Sequence, residues 1–412
     1  MAKLGTAQTL AWASSYYLPA MIAAPMARDL GIATPTVFAA FSAALVVSAL
    51  LGPYAGQAID TWGGRPVLAG TSLVFAAGLA ALALATGPIG LFAAWLIMGV
   101  GMGSGLYEAA FAALVRLQGA NSRTAITGIT LIAGFASTVG WPLTSLLEAQ
   151  FGWRAACFTW AGLHLVMGLP LNWSLPKMSE AVPASQAGAG TDMATGAATA
   201  IEAGRPARVA TGEAVGLAAG AGADTTPATG LTTALLAYVF AATWFISTAM
   251  AAHLPRLLEL TGATLAVAVA AGALVGPAQV GARLLEFSLL RKVHPLFSAG
   301  LAALAHPIGA AVLLLAGAPA AIFAILHGAG NGILTIAKGT LPLVLFGPHG
   351  YGRRQGLLTV PARMAQAAAP FVFGVCLDRW GADALWLSGA VSVSAFVALL
   401  LIPRPEPRPD RR

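Results

Sequence analysis

Apolar residues run along this chain in stretches of about twenty, divided by short breaks rich in Gly, Pro and charge. A helix needs ~20 residues, at a rise of ~1.5 Å each, to cross ~30 Å of hydrocarbon. The pattern predicts twelve such helices, at 7–27, 36–59, 66–86, 89–117, 124–147, 155–175, 231–252, 262–286, 296–316, 319–346, 355–377 and 383–402. Some neighbours are joined by turns as short as Thr86-Gly87-Pro88 and Gly317-Ala318-Pro319. The first span follows Lys3 and has the length of a retained helix rather than of a signal peptide.

The stretch 177–230 breaks the pattern. It is rich in Ala, Gly, Thr and Pro, with scattered charges and no sustained apolar face. Such a composition cannot bury a core, so it reads as a disordered linker. The expected organisation is a six-helix bundle at 1–176, the linker, a second six-helix bundle at 231–403 and a basic tail at 404–412. The halves repeat weakly, with offsets near ~225 residues, as internal transporter repeats do. Gly101-Met-Gly-Ser-Gly105 pairs with Gly328-Ala-Gly-Asn-Gly332, and Gly52-Pro53 with Gly276-Pro277. Asp60 and Arg65 pair with Glu286 and Arg291.

Composition agrees with a bilayer. Charged residues make up 9% of the chain and apolar residues 58%, against about 25% charged in soluble domains. The mean hydropathy is +0.79. The formal charge of +7 does not point to nucleic acid, because the cations lie in alternating loops rather than in one patch. With the N-terminus inside, sixteen Lys and Arg fall in cytoplasmic segments and four outside, at Arg28, Arg154, Arg256 and Arg379. That bias predicts both termini in the cytoplasm of a cell inner membrane. The two cysteines, Cys157 and Cys376, support no disulfide framework or metal cluster.

Between spans two and three the chain reads Gly56-Gln-Ala-Ile-Asp60-Thr-Trp-Gly63-Gly64-Arg65. This resembles the signature of the major facilitator superfamily, Gly-x3-Asp-Arg-x-Gly-Arg-Arg, with departures at Thr61 and Gly64. Together with the split into two sets of six spans and the central linker, the chain looks like a member of that superfamily nearly end to end. The resemblance implies two pseudo-symmetric bundles that rock about a central site by alternating access. Spans 1, 4, 7 and 10 would line the cavity. It also implies that Gly56, Asp60 and Arg65, with Glu286 and Arg291 in the second half, form cytoplasmic latches. Span five carries a broken version of a glycine-rich antiporter motif at Gly128, Gly134, Gly140 and Pro142, interrupted by Trp141.

Charges within a span mark function by default, because they are costly there. Glu108 follows Gly101 and Gly105 at spacings of seven and three, which places it on their close-packing face in a continuous helix. It is either a proton carrier or substrate contact, or the fixed partner of a helix cation. Arg363 lies on a stripe with Thr359 and Gln366. Its forked donor suits a carboxylate, from an anionic substrate or from an ion pair such as one with Glu108. Lys338 shares a face with Asn331 and Thr335; it either lines the cavity or snorkels to the interface. Tyr16, Tyr17 and Trp244 are candidates for the cavity wall, and His327 for a proton site. His164 and His306 read as structural, and His253 as an interfacial or outer-gate residue. Span five adds a polar stripe at Thr127, Thr130, Gly134, Ser137 and Trp141, whose hydroxyls more often bond the backbone than a ligand.

No phosphate loop, nucleophile elbow or zinc helix is present in the sequence. The chain therefore reads as a cofactor-free secondary transporter rather than an enzyme. It is expected to be a monomer in the bilayer, driven by protons. Two cations against one carboxylate favour a small organic anion such as a monocarboxylate. Efflux of apolar or cationic compounds is the alternative, and a non-transporting receptor on the same fold is a third reading.

Overall fold

The computed structural model describes residues 1–118, 122–176, 227–288, 293–346 and 351–403. The expected linker and basic tail lie outside these residues, apart from a few at their edges. The described residues are helical with short connections, and each of the twelve expected spans has helix at its place. By length and composition, nine helical stretches among the described residues suffice to cross a membrane. Two of them, 125–173 and 358–401, each hold two expected spans. The turns inside them fall at Gly152 and Gly381, with φ +81° and +57°, a conformation that only glycine adopts without strain.

The chain forms two compact units, Met1–Ala214 and Val215–Arg412. In the first, three expected spans are each split. The first span is α1 (Ala2–Ser14) and α2 (Pro19–Leu30). Spans two and three are α3 (Thr34–Trp62) and α4 (Gly64–Ala83). The fourth is α5 (Pro88–Gly105) and α6 (Tyr107–Gln118). The fifth is α7 (Ser122–Ala133) and the start of α8 (Ala136–Leu163). The rest of α8 continues through a π-helical stretch, His164–Gly168, into α9 (Leu169–Trp173), forming span six.

These breaks have local causes. Pro19 has no N–H to continue the helix, and Ser14 and Ser15 bond back to Leu10 O and Ala11 O at 2.8 and 2.6 Å. The glycine run before Leu106 carries the weak helix propensity of that residue, and Leu106 itself is extended, with ψ −165°. The carbonyls left at this break find side chains. Gln8 Nε2 donates to Gly105 O at 2.7 Å, and Thr71 Oγ1 lies 3.2 Å from Ser104 O. At the third break, Thr9 Oγ1 reaches Ile132 O at 3.3 Å.

The second unit is more continuous. Its elements are α10 (Pro227–Leu260), α11 (Leu265–Ala273), α12 (Val275–Ser288), α13 (Pro295–Ala316), α14 (Ala320–Phe346), α15 (Tyr351–Trp380) and α16 (Ala384–Leu401). Its core joins Leu236, Phe240 and Leu341 to Leu358, Ala362 and Leu399. Outward positions such as Leu315, Met364 and Leu400 are 76%, 70% and 63% exposed, as lipid-facing side chains are.

Glycine contacts set the register of the repeat. A Cβ on Gly99 or Gly103 would meet Ala44 O or Ser48 O at 2.6 and 2.9 Å; one on Gly328 or Gly332 would meet Val275 O or Gln279 O at 2.7 and 2.6 Å. Gly99 and Gly103 are therefore the counterparts of Gly328 and Gly332, two residues earlier than the sequence pairing. Gly52-Pro53 then stands about two turns away from the level of Gly276-Pro277. The sequence register slipped because glycine recurs at every second position from Gly99 to Gly105, so any even shift matches.

Gly332→Ala is expected to destabilise the protein by ~1–3 kcal/mol, the usual cost of overpacking, because the methyl meets backbone. Gly281→Ala, with nothing within 4 Å, is the control. Thermal midpoints in detergent compare the two; equal midpoints would remove the close-approach account.

Candidate functional site

Three of the residues singled out in the sequence converge in the second unit. Trp244 on α10 is half-buried. Lys338 Nζ, from α14, lies 4.1 Å from the centre of its ring, and Arg363 Cζ, from α15, lies 5.4 Å from it. Both are within cation–π range. The Lys338 amine thus packs on an indole instead of reaching away from it. Arg363 Nη1 also donates to Gln366 Oε1 at 2.9 Å, the partner on its own stripe. The result is a concentration of positive charge around one aromatic face, with Lys338 and Arg363 supplied by different helices.

Asn331 and His327 line a small neighbouring cavity of about 20 Å³, with Thr243, Ser247, His306 and Ser392. His306 and His327 face each other, Nδ1 to Nδ1, at 3.0 Å, and His306 Nε2 lies 3.0 Å from Ser388 Oγ. The Ser388 hydroxyl donates to Leu385 O at 2.9 Å, so His306 Nε2 donates to Ser388. His306 Nδ1 then accepts from His327 Nδ1–H. This fixes both tautomers from the network. His253 is fully buried rather than interfacial, and its Nε2 is 2.7 Å from Pro370 O.

Glu108 departs from expectation. The extended Leu106 interrupts the helical period, so Glu108 leaves the face of Gly101 and Gly105. It sits in the first turn of α6 and is exposed instead of packed within its bundle. An aromatic chain runs beside it: Tyr107 stacks on Phe111 at 5.3 Å and meets Trp12 at 4.8 Å, and Trp12 meets Tyr16 at 5.0 Å. Tyr17 is half-buried, and its carbonyl accepts from Trp141 Nε1 at 3.0 Å. Trp12 and Tyr107 escaped the sequence reading; their signal was an aromatic close to each helix break.

The expected latch residues lie at the ends of α3, α4 and α12. Gly56 is buried and Asp60 exposed. Arg65 packs its guanidinium over Trp173 at 4.6 Å, and no ion pair joins it to Asp60 among the described residues. Trp62-Gly63-Gly64 turns the chain between them, with Gly63 at φ +86°. Glu286 accepts from Ser298 Oγ at 3.4 Å; Arg291 lies outside the described residues. Ion pairs among the described residues include Asp29–Arg154, which ties α2 to α8, and Arg256–Asp378 at 2.5 Å, which ties α10 to α15.

A sequence model of the Major Facilitator Superfamily matches residues 4–324. The chain belongs to that superfamily. It is a multi-pass membrane transporter rather than an enzyme. Solved structures with the same fold include a D-xylose-proton symporter, at 14% identity and a TM-score of 0.68 over 98% of this chain and 97% of that one. The nucleoside transporter NupG matches at 14% identity and 0.69, over 97% and 98% of the two chains. A bacterial homologue of the human lysosomal transporter Spinster, in an inward-facing and occupied conformation, matches at 14% and 0.62, over 97% and 93%.

The Trp244 cluster makes a measurable claim. In a double-mutant cycle of Trp244→Leu with Lys338→Met, thermal stability in detergent should show a coupling of ~0.5–2 kcal/mol, the range of cation–π contacts. Additive effects would mean that ring and amine are adjacent without interacting.

Proposed function

We propose that this transporter moves a small organic anion, such as a monocarboxylate, across a bacterial inner membrane in company with protons. The observation that carries the reading is the pair of cations, Lys338 and Arg363, held over the single ring of Trp244. Two cationic side chains beside one ring offer an anion two charged hydrogen-bond donors. The guanidinium adds a planar fork that fits a carboxylate bidentately. Energy comes from an ion gradient, and the xylose symporter of the same fold is coupled to protons by its name. Glu108, exposed in the first turn of α6, is the carboxylate assigned here to carry one.

A second reading is favoured by the aromatic chain Trp12–Tyr107–Phe111 beside Glu108. Rings flanking a carboxylate suit a lipophilic cation, which would make the protein an exporter.

Reconstituted protein in proteoliposomes separates these. Lactate, pyruvate, D-xylose, uridine and tetraphenylphosphonium are supplied in turn, with and without a pH gradient. Anion uptake driven by an inward proton gradient is expected. Arg363→Lys should weaken it about tenfold or more, by loss of the fork at a cost of ~1.4 kcal/mol upward. Wild-type anion affinity in Arg363→Gln would end the anion reading. Flux of tetraphenylphosphonium alone would favour export, and binding without flux would indicate a receptor.

The coupling role of Glu108 is tested on the same vesicles. Glu108→Gln should abolish gradient-driven uptake while sparing exchange of internal for external substrate, since exchange requires no net proton movement. Unchanged driven uptake would take Glu108 out of the mechanism.

A further inference from the structure

We propose that the small cavity beside the two cations is a subsite for a hydroxyl group of the substrate. The transported anion is then a carboxylate with hydroxyls further along its chain, of the sugar-acid kind. The inference rests on the anion reading above and deepens it. Cavity and cations share two helices. Thr243 and Ser247 stand beside Trp244 on α10, and His327 and Asn331 precede Lys338 on α14. These helices are spans seven and ten, which cross a bilayer in opposite directions. Ser247, after Trp244 on one, and Asn331, before Lys338 on the other, therefore lie on the same side of the cations. At ~1.5 Å per residue, Asn331 stands ~10 Å along α14 from Lys338, and His327 ~16 Å.

The polar groups of the lining divide into those already satisfied and those left over. Thr243 Oγ1 donates to Val239 O and Ser392 Oγ to Ala303 O, both at 2.7 Å, so each keeps only lone pairs. His306 uses both ring nitrogens, on His327 and on Ser388. Because the Ser388 proton goes to Leu385 O, donation runs from His327 Nδ1 to His306 and from His306 to Ser388. His327 Nε2 is left with a lone pair. The Asn331 amide and the Ser247 hydroxyl, both half-buried, make no side-chain hydrogen bond among the described residues. The lining thus offers an imidazole acceptor, the lone pairs of three hydroxyls, and one amide and one hydroxyl that supply the donors.

Volume and charge decide what enters. About 20 Å³ is room for one water or one group of that size, and not for a carbon skeleton. A hydroxyl brings one donor and two lone pairs. It donates to His327 Nε2 and accepts from Asn331 Nδ2 or Ser247 Oγ. A keto oxygen has no proton for His327, and a methyl group satisfies neither side. No lining residue carries a formal charge, so the second carboxylate of a diacid or the ammonium of an amino acid would find no counter-ion there. A site that hydrogen-bonds a substrate hydroxyl discriminates strongly against the analogue lacking it, because its own polar groups are then left unpaired. His306 and Ser388 touch no ligand in this scheme; they are positioning residues that keep the lone pair of His327 on Nε2.

The test compares acids of equal chain length. The full chain in lipid nanodiscs is titrated with D-gluconate, hexanoate and adipate, and with D-glucose as the uncharged probe, by calorimetry. Gluconate is expected to bind about tenfold or more tighter than hexanoate, the worth of one or two hydrogen bonds, and adipate no tighter than hexanoate. Asn331→Leu should erase that preference and Ser247→Ala reduce it several-fold, whereas Arg363→Gln should weaken gluconate and hexanoate by the same factor. Should Asn331→Leu fail to fold, Ser247→Ala and the wild-type comparison still decide. Hexanoate or adipate bound as tightly as gluconate, as expected of a cavity that holds water alone, overturns the subsite. So does a preference that survives both substitutions in folded protein. Hexanoate binding that is lost in Arg363→Gln, without a preference for gluconate, removes the subsite and leaves the anion reading. Glucose bound as tightly as gluconate and unaffected by Arg363→Gln, or no binding of any acid, removes the anion reading on which the subsite rests.

Discussion

A backbone carbonyl inside a bilayer has no water to bond, and that constraint governs the first unit. Three of its spans are broken, and every break exposes carbonyls that must be satisfied by protein. The adjacent residues Gln8 and Thr9 on α1 reach two different breaks, at Gly105 O and Ile132 O, and Thr71 from α4 reaches Ser104 O. A short polar run on one helix therefore holds two others in their split form. Continuous helices would need none of these side chains. Their presence argues that the breaks are built into the fold.

The two halves solve the same packing problem with different chemistry. In both, glycines of the fourth or tenth span press against backbone of the second or eighth. That shared contact fixes the repeat register, in which Gly134 of the first unit corresponds to Arg363 of the second. Where the fifth span breaks, its counterpart α15 runs on and carries a guanidinium. The duplicated architecture is thus specialised, with broken helices and amides in one half and basic side chains in the other.

Spans were legible because each needs a long apolar run, a signal that survives any error in the register of individual residues. The convergence of Lys338, Arg363 and Trp244 was foreshadowed for a similar reason: a cation within a span is costly enough to stand out. Glu108 was misplaced because its face was computed along an unbroken helix, and nothing at Leu106 announces an extended residue. Gln8 and Ser14 were invisible for the opposite reason. Neutral amides and hydroxyls are cheap in a sequence count, and their importance appears only when the carbonyl each one serves is known. The partners of His164 and His306, at separations of 150, 21 and 82 residues, leave no local pattern either.

The choice of an indole as a partner for two cations bears on how such a site can cycle. A transported ligand must bind and leave, so the groups that hold it must exchange partners with little net change in free energy. Removing one member of a buried carboxylate–guanidinium pair costs about 3–5 kcal/mol, which would resist an incoming anion. A cation–π contact is worth ~0.5–2 kcal/mol, a smaller obstacle to drawing Lys338 or Arg363 toward a substrate carboxylate. On the proposed anion reading, the same three residues alternate between a stacked arrangement and one organised around the ligand.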